Sequence, residues 1–177
     1  MELTPDQKGG IAELAIALAA ARLDIVVSRP MIEGARYDLV FDAGGPLKRV
    51  QCKWATRVGE TVNINCRTSR ATASGYIRST YSAAQIDAIA AYCLELDECW
   101  LIPISRVAGR KSLHLRLTPA RNNQVVGVTL AETYRLGAIA QLGERRHGMA
   151  EVGGSSPPGS IAREPSASGR LSSFKGA

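Results

Sequence analysis

The stretch RYDLVFDAGGPLKRVQCKWATR, residues 36–57, constrains the fold more than any other part of the sequence. Apolar and polar residues alternate in two runs, which is the period of a β-strand with one buried face. Between the runs stand Gly44, Gly45 and Pro46, residue types that favour a tight turn. The stretch therefore predicts a β-hairpin.

The predicted hairpin brings three polar side chains together. If the turn is centred on the two glycines, Asp38 lies directly opposite Gln51, and Lys53 lies one diagonal step away. A carboxylate can hold Mg²⁺ beside phosphate oxygens, and a lysine can stabilise the charge that develops during phosphodiester hydrolysis. The amide of Gln51 is a weaker, neutral ligand. From these residues alone, an exposed polar face with an incidental ion pair is the other interpretation.

Helices are predicted on both sides of the hairpin. The first covers residues 6–23 with Asp6 as its cap, and its apolar stripe consists of Ile11, Leu14, Ala15 and Leu18. Residues 70–80 are predicted to be a polar loop. A second helix is predicted to begin at Ser82 with a capping box, and its apolar stripe consists of Ile86, Ile89 and Cys93.

Further strands are predicted at DIVVSRP, TVNINCRTS, CWLIPI and SLHLRLT. A hairpin core flanked by helices, with a late unit of helix and strand, indicates an α/β or α+β domain. This domain is predicted to cover residues 1–136.

The charge and the cysteines limit the classes of partner. The formal net charge of +6 favours an anionic partner without choosing between DNA, RNA and a membrane surface. The four cysteines form no C-x-x-C pair and there are only two histidines, which argues against a zinc site. No secretory signal is recognised, so reduced thiols in a cytoplasm are expected. The apolar run over residues 11–21 contains Glu13 and is too short to span a bilayer, so no membrane partner is expected.

The last part of the chain, residues 137–177, differs in character. It is rich in Gly, Pro and Ser and is predicted to be a disordered tail. Residues 137–161 also resemble an alanine transfer-RNA gene translated in one frame, and GGSSPPG matches the translation of its T-loop. Such a tail indicates a gene that abuts a transfer-RNA locus, where mobile elements often insert, and an ordinary disordered tail is the alternative. Both interpretations place the function in residues 1–136.

Four segments, in order, resemble the PD-(D/E)XK nuclease superfamily, and in particular its homing-endonuclease-like and Holliday-junction-resolvase-like proteins. They are GGIAELAIALAA, RYDLVFDAG, RVQCKWA and YSAAQIDAIAAYCLELDECWLIPI, and the resemblance runs through residues 8–105. It implies a restriction-endonuclease-like core, in which a central mixed β-sheet with a catalytic hairpin is flanked by helices. It also implies a Mg²⁺- or Mn²⁺-dependent DNA endonuclease that works as a homodimer or higher homo-oligomer.

The resemblance assigns roles to individual residues. Asp38 corresponds to the metal-binding aspartate, Lys53 to the catalytic lysine, and the carbonyl of Cys52 to a backbone metal ligand. Gln51 occupies the position usually held by an acid, as a metal ligand and catalytic residue. Glu13 corresponds to the helix glutamate of many members, although helical geometry alone also allows a plain surface residue. The arginines that follow the hairpin are the expected phosphate contacts, namely Arg57, Arg67, Arg70 and Arg78.

Two departures from the family pattern matter. Tyr37 stands where a proline often precedes the aspartate, and Gln51 removes a negative charge from the metal site. The second departure leaves a catalytically inert nucleic-acid-binding module as an alternative to the homing endonuclease. The transfer-RNA-like tail leaves a structural or decayed reading frame, and among enzymes a Holliday junction resolvase is the alternative.

Overall fold

The computed structural model describes residues 2–32, 34–73, 75–119 and 128–138. Its helices are α1 (Pro5–Ala21) and the short α2 (Ile104–Val107), with a 3₁₀ turn at Glu132–Tyr134. Its strands are β1 (Val26–Ser28), β2 (Leu39–Asp42), β3 (Lys48–Val58), β4 (Thr61–Asn65), β5 (Arg67–Thr72), β6 (Gly75–Thr80), β7 (Ala88–Cys93), β8 (Glu98–Pro103) and β9 (Ser112–Arg116). Apart from residues 137 and 138, the predicted tail lies outside the described residues, so its disorder and its origin stay predictions.

Helix α1 begins at Pro5, one residue earlier than predicted. Thr4 is the cap: its hydroxyl accepts from the backbone N–H of Gln7 at 3.3 Å, and the Gln7 side chain accepts from the backbone N–H of Thr4 at 2.9 Å. This reciprocal capping box, with Pro5 at the first helical position, satisfies donors that would otherwise lack partners. The prediction of Asp6 as the cap was therefore wrong, because Asp6 lies inside the first turn.

The predicted apolar stripe of α1 was wrong in part, since Ile11 and Ala15 pack against the core but are only partly buried. The buried face consists of Ala12, Ile16 and Ala20, whereas Leu14 and Leu18 are 69% and 54% exposed. Because apolar residues run all round this helix, hydrophobic periodicity could not select the face that packs. Its alanines allow the helix to lie close against the sheet, and the larger leucines face outward.

The main sheet is organised around the long strand β3. Strand β2 pairs with β3 antiparallel, and β1 extends the sheet beyond β2. The first half of β3 pairs with β7 in parallel, and β8 follows β7 antiparallel. The last residues of β3 pair with β4, which pairs with β9. The predicted central mixed sheet with a hairpin against a helix is confirmed.

Two apolar cores lie on the two faces of this sheet. The core against α1 contains Leu39, Phe41 and Val50 together with the buried face of the helix. The other core joins β4 and β9 to β7 and β8, and its large members include Ile64, Ile89, Trp100, Ile102 and Leu115. Strand β7 contributes to both cores, which explains why all six of its side chains are buried.

The predicted second helix was wrong, because β7 occupies most of its range. Residues 83–85 form a turn, and a salt bridge fixes its position. The Arg49 guanidinium donates to both carboxylate oxygens of Asp87 at 3.0 and 3.1 Å, and to the carbonyls of Ala83 and Ala84 at 3.1 and 2.7 Å. The Arg49 side chain holds the pKa of Asp87 below its usual value. These bonds attach the residues directly before β7 to β3, at the point where the parallel pairing begins.

The predicted loop over residues 70–80 was wrong as well. The segment belongs to a two-stranded antiparallel ribbon, β5 with β6, in which Arg67 pairs with Thr80 and Ser69 with Arg78. The ribbon is a separate sheet rather than part of the main one. A ribbon with polar side chains on both faces has no apolar alternation, so its composition resembled that of a loop.

The predicted register of the β2–β3 hairpin is confirmed. Leu39 pairs with Val50 and Val40 with Arg49, which places Asp38 across from Gln51. Gly44 adopts a φ of 78°, which favours glycine, and its N–H donates to the side chain of Asp42 at 3.0 Å. In the part of the chain that the structure describes, no helix is long and apolar enough to cross a membrane.

Candidate active site

The site begins where β2 and β3 separate. The backbone N–H of Asp38 still donates to the Val50 carbonyl at 3.0 Å. Two residues further along β3, the partner is the Asp38 carboxylate rather than the backbone of β2, since its Oδ2 accepts from the Cys52 N–H at 2.7 Å. The N–H and C=O of a strand residue point to the same edge. The Cys52 carbonyl therefore faces the gap that Asp38 borders.

Gln51 bridges the two oxygens at this gap. Its Nε2 donates to Oδ2 of Asp38 in a short hydrogen bond, and to the carbonyl oxygen of Cys52 at 3.4 Å. An electropositive group thus lies between a carboxylate and a carbonyl. The nitrogen and oxygen of an amide are assigned from such contacts, and rotation of the amide would bring its oxygen to the same place.

Lys53 lies on the same face of β3 as Gln51, two residues along the strand. Its Nζ donates to the carbonyl oxygen of Arg67 at 3.1 Å and lies 5.3 Å from the centroid of the Tyr81 ring. Neither partner carries a negative charge. Within the described residues no carboxylate forms a salt bridge with Lys53, so its charge is available to an anionic ligand.

Glu13 approaches the site from α1. It lies at the edge of the buried face of the helix, its side chain is 26% exposed, and it accepts from Arg29 at 2.9 Å. Burial raises the pKa of Glu13, the negative charge of Asp38 raises it further, and Arg29 opposes both. The negative charge of Asp38 thus acts on Glu13, whose role at the site stays a prediction.

Arg29 is a site residue that the sequence analysis missed. It follows β1, and its charge lowers the pKa values of Glu13, Asp38 and Cys52. A clue was available in the sequence, because the predicted strand DIVVSRP contains this arginine directly before its closing Pro30. Placing β1 beside β2, however, required the tertiary structure.

The electrostatics of the gap favour a cation. Burial raises the pKa of Asp38, and this outweighs the opposing effects of the Cys52 N–H, Lys53, Arg29 and Gln51. The two carboxyls at the site, Asp38 and Glu13, thus both have raised pKa values, because the positive charge around them does not fully compensate for their burial.

The available ligands suit a hard divalent ion. Asp38 offers a carboxylate, Cys52 a carbonyl and Gln51 an amide oxygen, which are the oxygen ligands that Mg²⁺ and Mn²⁺ prefer. The Cys52 thiol is unsuited as a ligand, since burial raises its pKa far above the usual value and keeps it protonated. Among the described residues no three His, Cys, Asp or Glu side chains form a metal cluster.

The predicted phosphate contacts are arranged in three ways. Arg57 is occupied near the β3–β4 turn, where it donates to the Gly59 carbonyl at 2.9 Å and forms a salt bridge with Glu60 at 3.5 Å. Arg67 and Arg78 line one cavity in the ribbon. The side chain of Arg70 lies outside the described residues.

The uncompensated carboxyl makes a prediction for stability. A carboxyl whose pKa is raised on folding binds its proton more tightly in the folded state, so its contribution to stability falls as pH rises through the raised pKa. Without metal at pH 7, Asp38→Asn should raise the midpoint of thermal unfolding by about 2–4 °C, equivalent to about 1 kcal/mol. The difference should vanish below about pH 3.5, where the carboxyl is protonated in both states.

Thermal scans at several pH values in a chelator would measure this effect. The exposed Asp24 supplies the control, because its positive φ of 57° also suits asparagine. Asp24→Asn should leave the midpoint unchanged at every pH. A lower midpoint for Asp38→Asn at pH 7 would show that the surrounding donors compensate the carboxylate fully.

Comparisons with known proteins identify the family and the fold. The family described as PD-(D/E)XK endonuclease matches residues 3–137. Among solved structures, the bacterial homing endonuclease I-Ssp6803I matches with a TM-score of 0.64 and 26% sequence identity, over 84% of this chain and 98% of that one. A search of curated proteins found no match. The restriction-endonuclease-like fold expected from the sequence is confirmed, and the chain belongs to the PD-(D/E)XK endonuclease family.

Proposed function

We propose that this endonuclease hydrolyses phosphodiester bonds in DNA with Mg²⁺ or Mn²⁺ at the gap between β2 and β3. Nucleases of this family generally depend on a divalent metal. The observation that carries the proposal is the convergence of the Asp38 carboxylate and the Cys52 carbonyl on one position, which the Gln51 amide nitrogen bridges. Two oxygens that converge on one position could supply part of the coordination of a divalent ion, which retains several water ligands when it is Mg²⁺.

Asp38, the Cys52 carbonyl and the rotated amide of Gln51 would hold the ion. When bound, it would lower the pKa of a water molecule and polarise the phosphate. Lys53 stabilises the negative charge that develops on the phosphate, and its exchange from the neutral Arg67 carbonyl to a phosphate oxygen breaks no salt bridge. Glu13 adds negative charge on the α1 side of the gap and holds Arg29 there.

The substrate and biological role follow the same proposal. The positive charge of the chain and the cavity lined by Arg67 and Arg78 support a nucleic acid as the substrate, and the endonuclease family supports DNA. The similarity to a bacterial homing endonuclease supports a role in a mobile element. A cytoplasmic location is consistent with four free cysteines.

A homodimer or higher homo-oligomer is also part of the proposal. One site of this size cleaves one strand, so cleavage of both strands requires a second copy, which two-fold symmetry supplies. The outward face of α1 exposes Leu14 and Leu18, and Met31 is fully exposed. Such apolar surface is typical of a protein contact.

A catalytically inert nucleic-acid-binding protein is the second candidate, and Gln51 is the observation that favours it. With a neutral amide in place of an acid, the site has one carboxylate fewer to attract a metal ion. A Holliday junction resolvase differs from the main proposal only in preferring four-way junctions over linear duplex.

The deciding experiment incubates the purified protein with a plasmid library of random sequence and with a synthetic four-way junction. Mg²⁺, Mn²⁺, Ca²⁺ and a chelator are compared, and nicks are mapped by sequencing. We expect nicks in the duplex DNA of the plasmids with Mg²⁺ or Mn²⁺, and no nicks in the chelator. DNA binding without nicking in either metal would establish the inert protein, and selective cleavage of the junction would establish the resolvase.

A further inference from the structure

The ribbon β5–β6 carries two arginines on one face. Arg67 pairs with Thr80 and Ser69 pairs with Arg78, so Arg67, Ser69 and Arg78 share a face. The two arginines are diagonal neighbours across the strands, a separation that long side chains span. The two positive charges repel each other, and an anion between them would relieve this repulsion.

Neither arginine is neutralised within the described part of the chain. No carboxylate forms a salt bridge with Arg67 or Arg78 there. The Nε of Arg67 is buried and has no hydrogen-bond partner among these residues. A buried donor without a partner is costly, and binding of an acceptor recovers this cost.

A cavity of about 190 Å³ lies between these groups. It is lined by Asn65, Arg67, Thr68, Ser69 and Arg78, and we call it the arginine cavity. Two guanidinium groups with hydroxyl and amide neighbours, and no acidic side chain, form a typical environment for a phosphate. The side chain of Asn65 already accepts from the backbone N–H of Arg67 at 3.0 Å, which fixes the entry to the ribbon.

The arginine cavity is joined to the candidate active site through Arg67. The Lys53 Nζ donates to the carbonyl of the same residue whose guanidinium lines the cavity. A ligand in the cavity and a ligand at Lys53 therefore lie against one short stretch of backbone.

We propose that the arginine cavity binds a single backbone phosphate of the DNA, next to the phosphate that is cleaved. It thereby determines which phosphodiester bond reaches Lys53. This inference rests on the proposed function and extends it, because it assigns two of the arginines to one phosphate rather than to a general basic surface.

The test measures binding rather than cleavage. A fluorescent duplex of arbitrary sequence is titrated in a chelator at several salt concentrations with wild type, Arg67→Gln, Arg78→Gln and the double variant. Each single variant should lose about tenfold in affinity at 0.1 M salt. Its plot of log K against log salt should be shallower by about 1 in slope. The slope for the double variant should also be shallower by about 1 and not by 2, because both side chains bind the same phosphate.

Controls separate folding from binding. Arg22→Gln alters an exposed arginine at the far end of α1 and should bind as wild type. Arg67 is partly buried, so its variant is checked by thermal unfolding, while Arg78 is exposed and its variant stands as the independent test.

The possible results are distinguishable. Affinities of both single variants within twofold of wild type would overturn the proposal, and a slope reduced by about 2 in the double variant would show two separate phosphates. Stabilisation by inorganic phosphate that Arg67→Gln removes, with DNA affinity unchanged, would assign the cavity to free phosphate and overturn the DNA assignment. A wild-type protein without DNA affinity would overturn the proposed function itself. If the protein binds DNA but does not cleave it, the proposed cleavage is overturned, and the binding measurements still decide the proposal for the arginine cavity.

Discussion

Lys53→Ala is expected to lower the rate of DNA cleavage by a factor of about 10²–10³ while DNA affinity changes by less than about threefold, since the lost interaction stabilises only the transition state. The reason lies in the partners of the lysine. Its Nζ contacts a neutral carbonyl and an aromatic ring, so its charge is not consumed by the folded structure. Removing it costs the fold about one hydrogen bond, or about 1 kcal/mol.

Single-turnover cleavage at saturating enzyme measures this effect without interference from product release. Lys48→Ala is the matched control, because Lys48 lies on the same strand, is exposed and lies near the turn rather than the gap. It should cleave at the wild-type rate. Lys53→Arg keeps the charge but changes its geometry, so it should retain part of the activity. Cleavage by Lys53→Ala at the wild-type rate would exclude the lysine from the chemistry.

Gln51→Glu is expected to lower the metal concentration for half-maximal cleavage by about tenfold, because a second carboxylate adds charge to the metal ligands. In a chelator the same variant should be less stable than wild type. The amide now donates to Oδ2 of Asp38, whereas a carboxylate there would face a like charge and would raise the pKa values of the pair. Added Mg²⁺ should reverse the loss of stability.

Two measurements are required for this variant: cleavage against metal concentration, and thermal unfolding with and without metal. Gln51→Ala is the control, since it removes the amide without adding charge. It should raise the metal concentration for half-maximal cleavage. An unchanged metal requirement in Gln51→Glu would mean that position 51 does not face the ion. Cleavage that appears only in Gln51→Glu would show that the natural chain is the inert protein.

The sequence predicted the site better than it predicted the elements around it. A two-glycine turn defines a hairpin register by itself, so the positions of Asp38, Gln51 and Lys53 followed from local information. Residues 82–93 were assigned to a helix because Ile86, Ile89 and Cys93 also fit a helical period. In the structure all residues of β7 are buried, and a strand buried on both faces shows no alternation that could reveal it.

Other features depend on tertiary contacts that no local pattern records. The packed face of α1 could not be identified in a helix that is apolar all round. The approach of Glu13 and Arg29 to Asp38 depends on how the helix and β1 lie against the hairpin. The roles of Asp38, Gln51, Cys52, Lys53 and Glu13 in catalysis or metal binding stay predictions.

The position of β3 has a consequence for how the protein opens locally. Its central residues are hydrogen-bonded within the sheet, one of its sides packs on α1, and its end continues into β4. A strand so enclosed is expected to open only at a free energy close to that of unfolding the domain, so its amide hydrogens that pair with β7 should exchange slowly. Gln51, Cys52 and Lys53 all lie on this strand. Smaller fluctuations of the chain are therefore expected to leave the backbone positions of the candidate site unchanged, while the Gln51 amide and the Lys53 ammonium can still change partners.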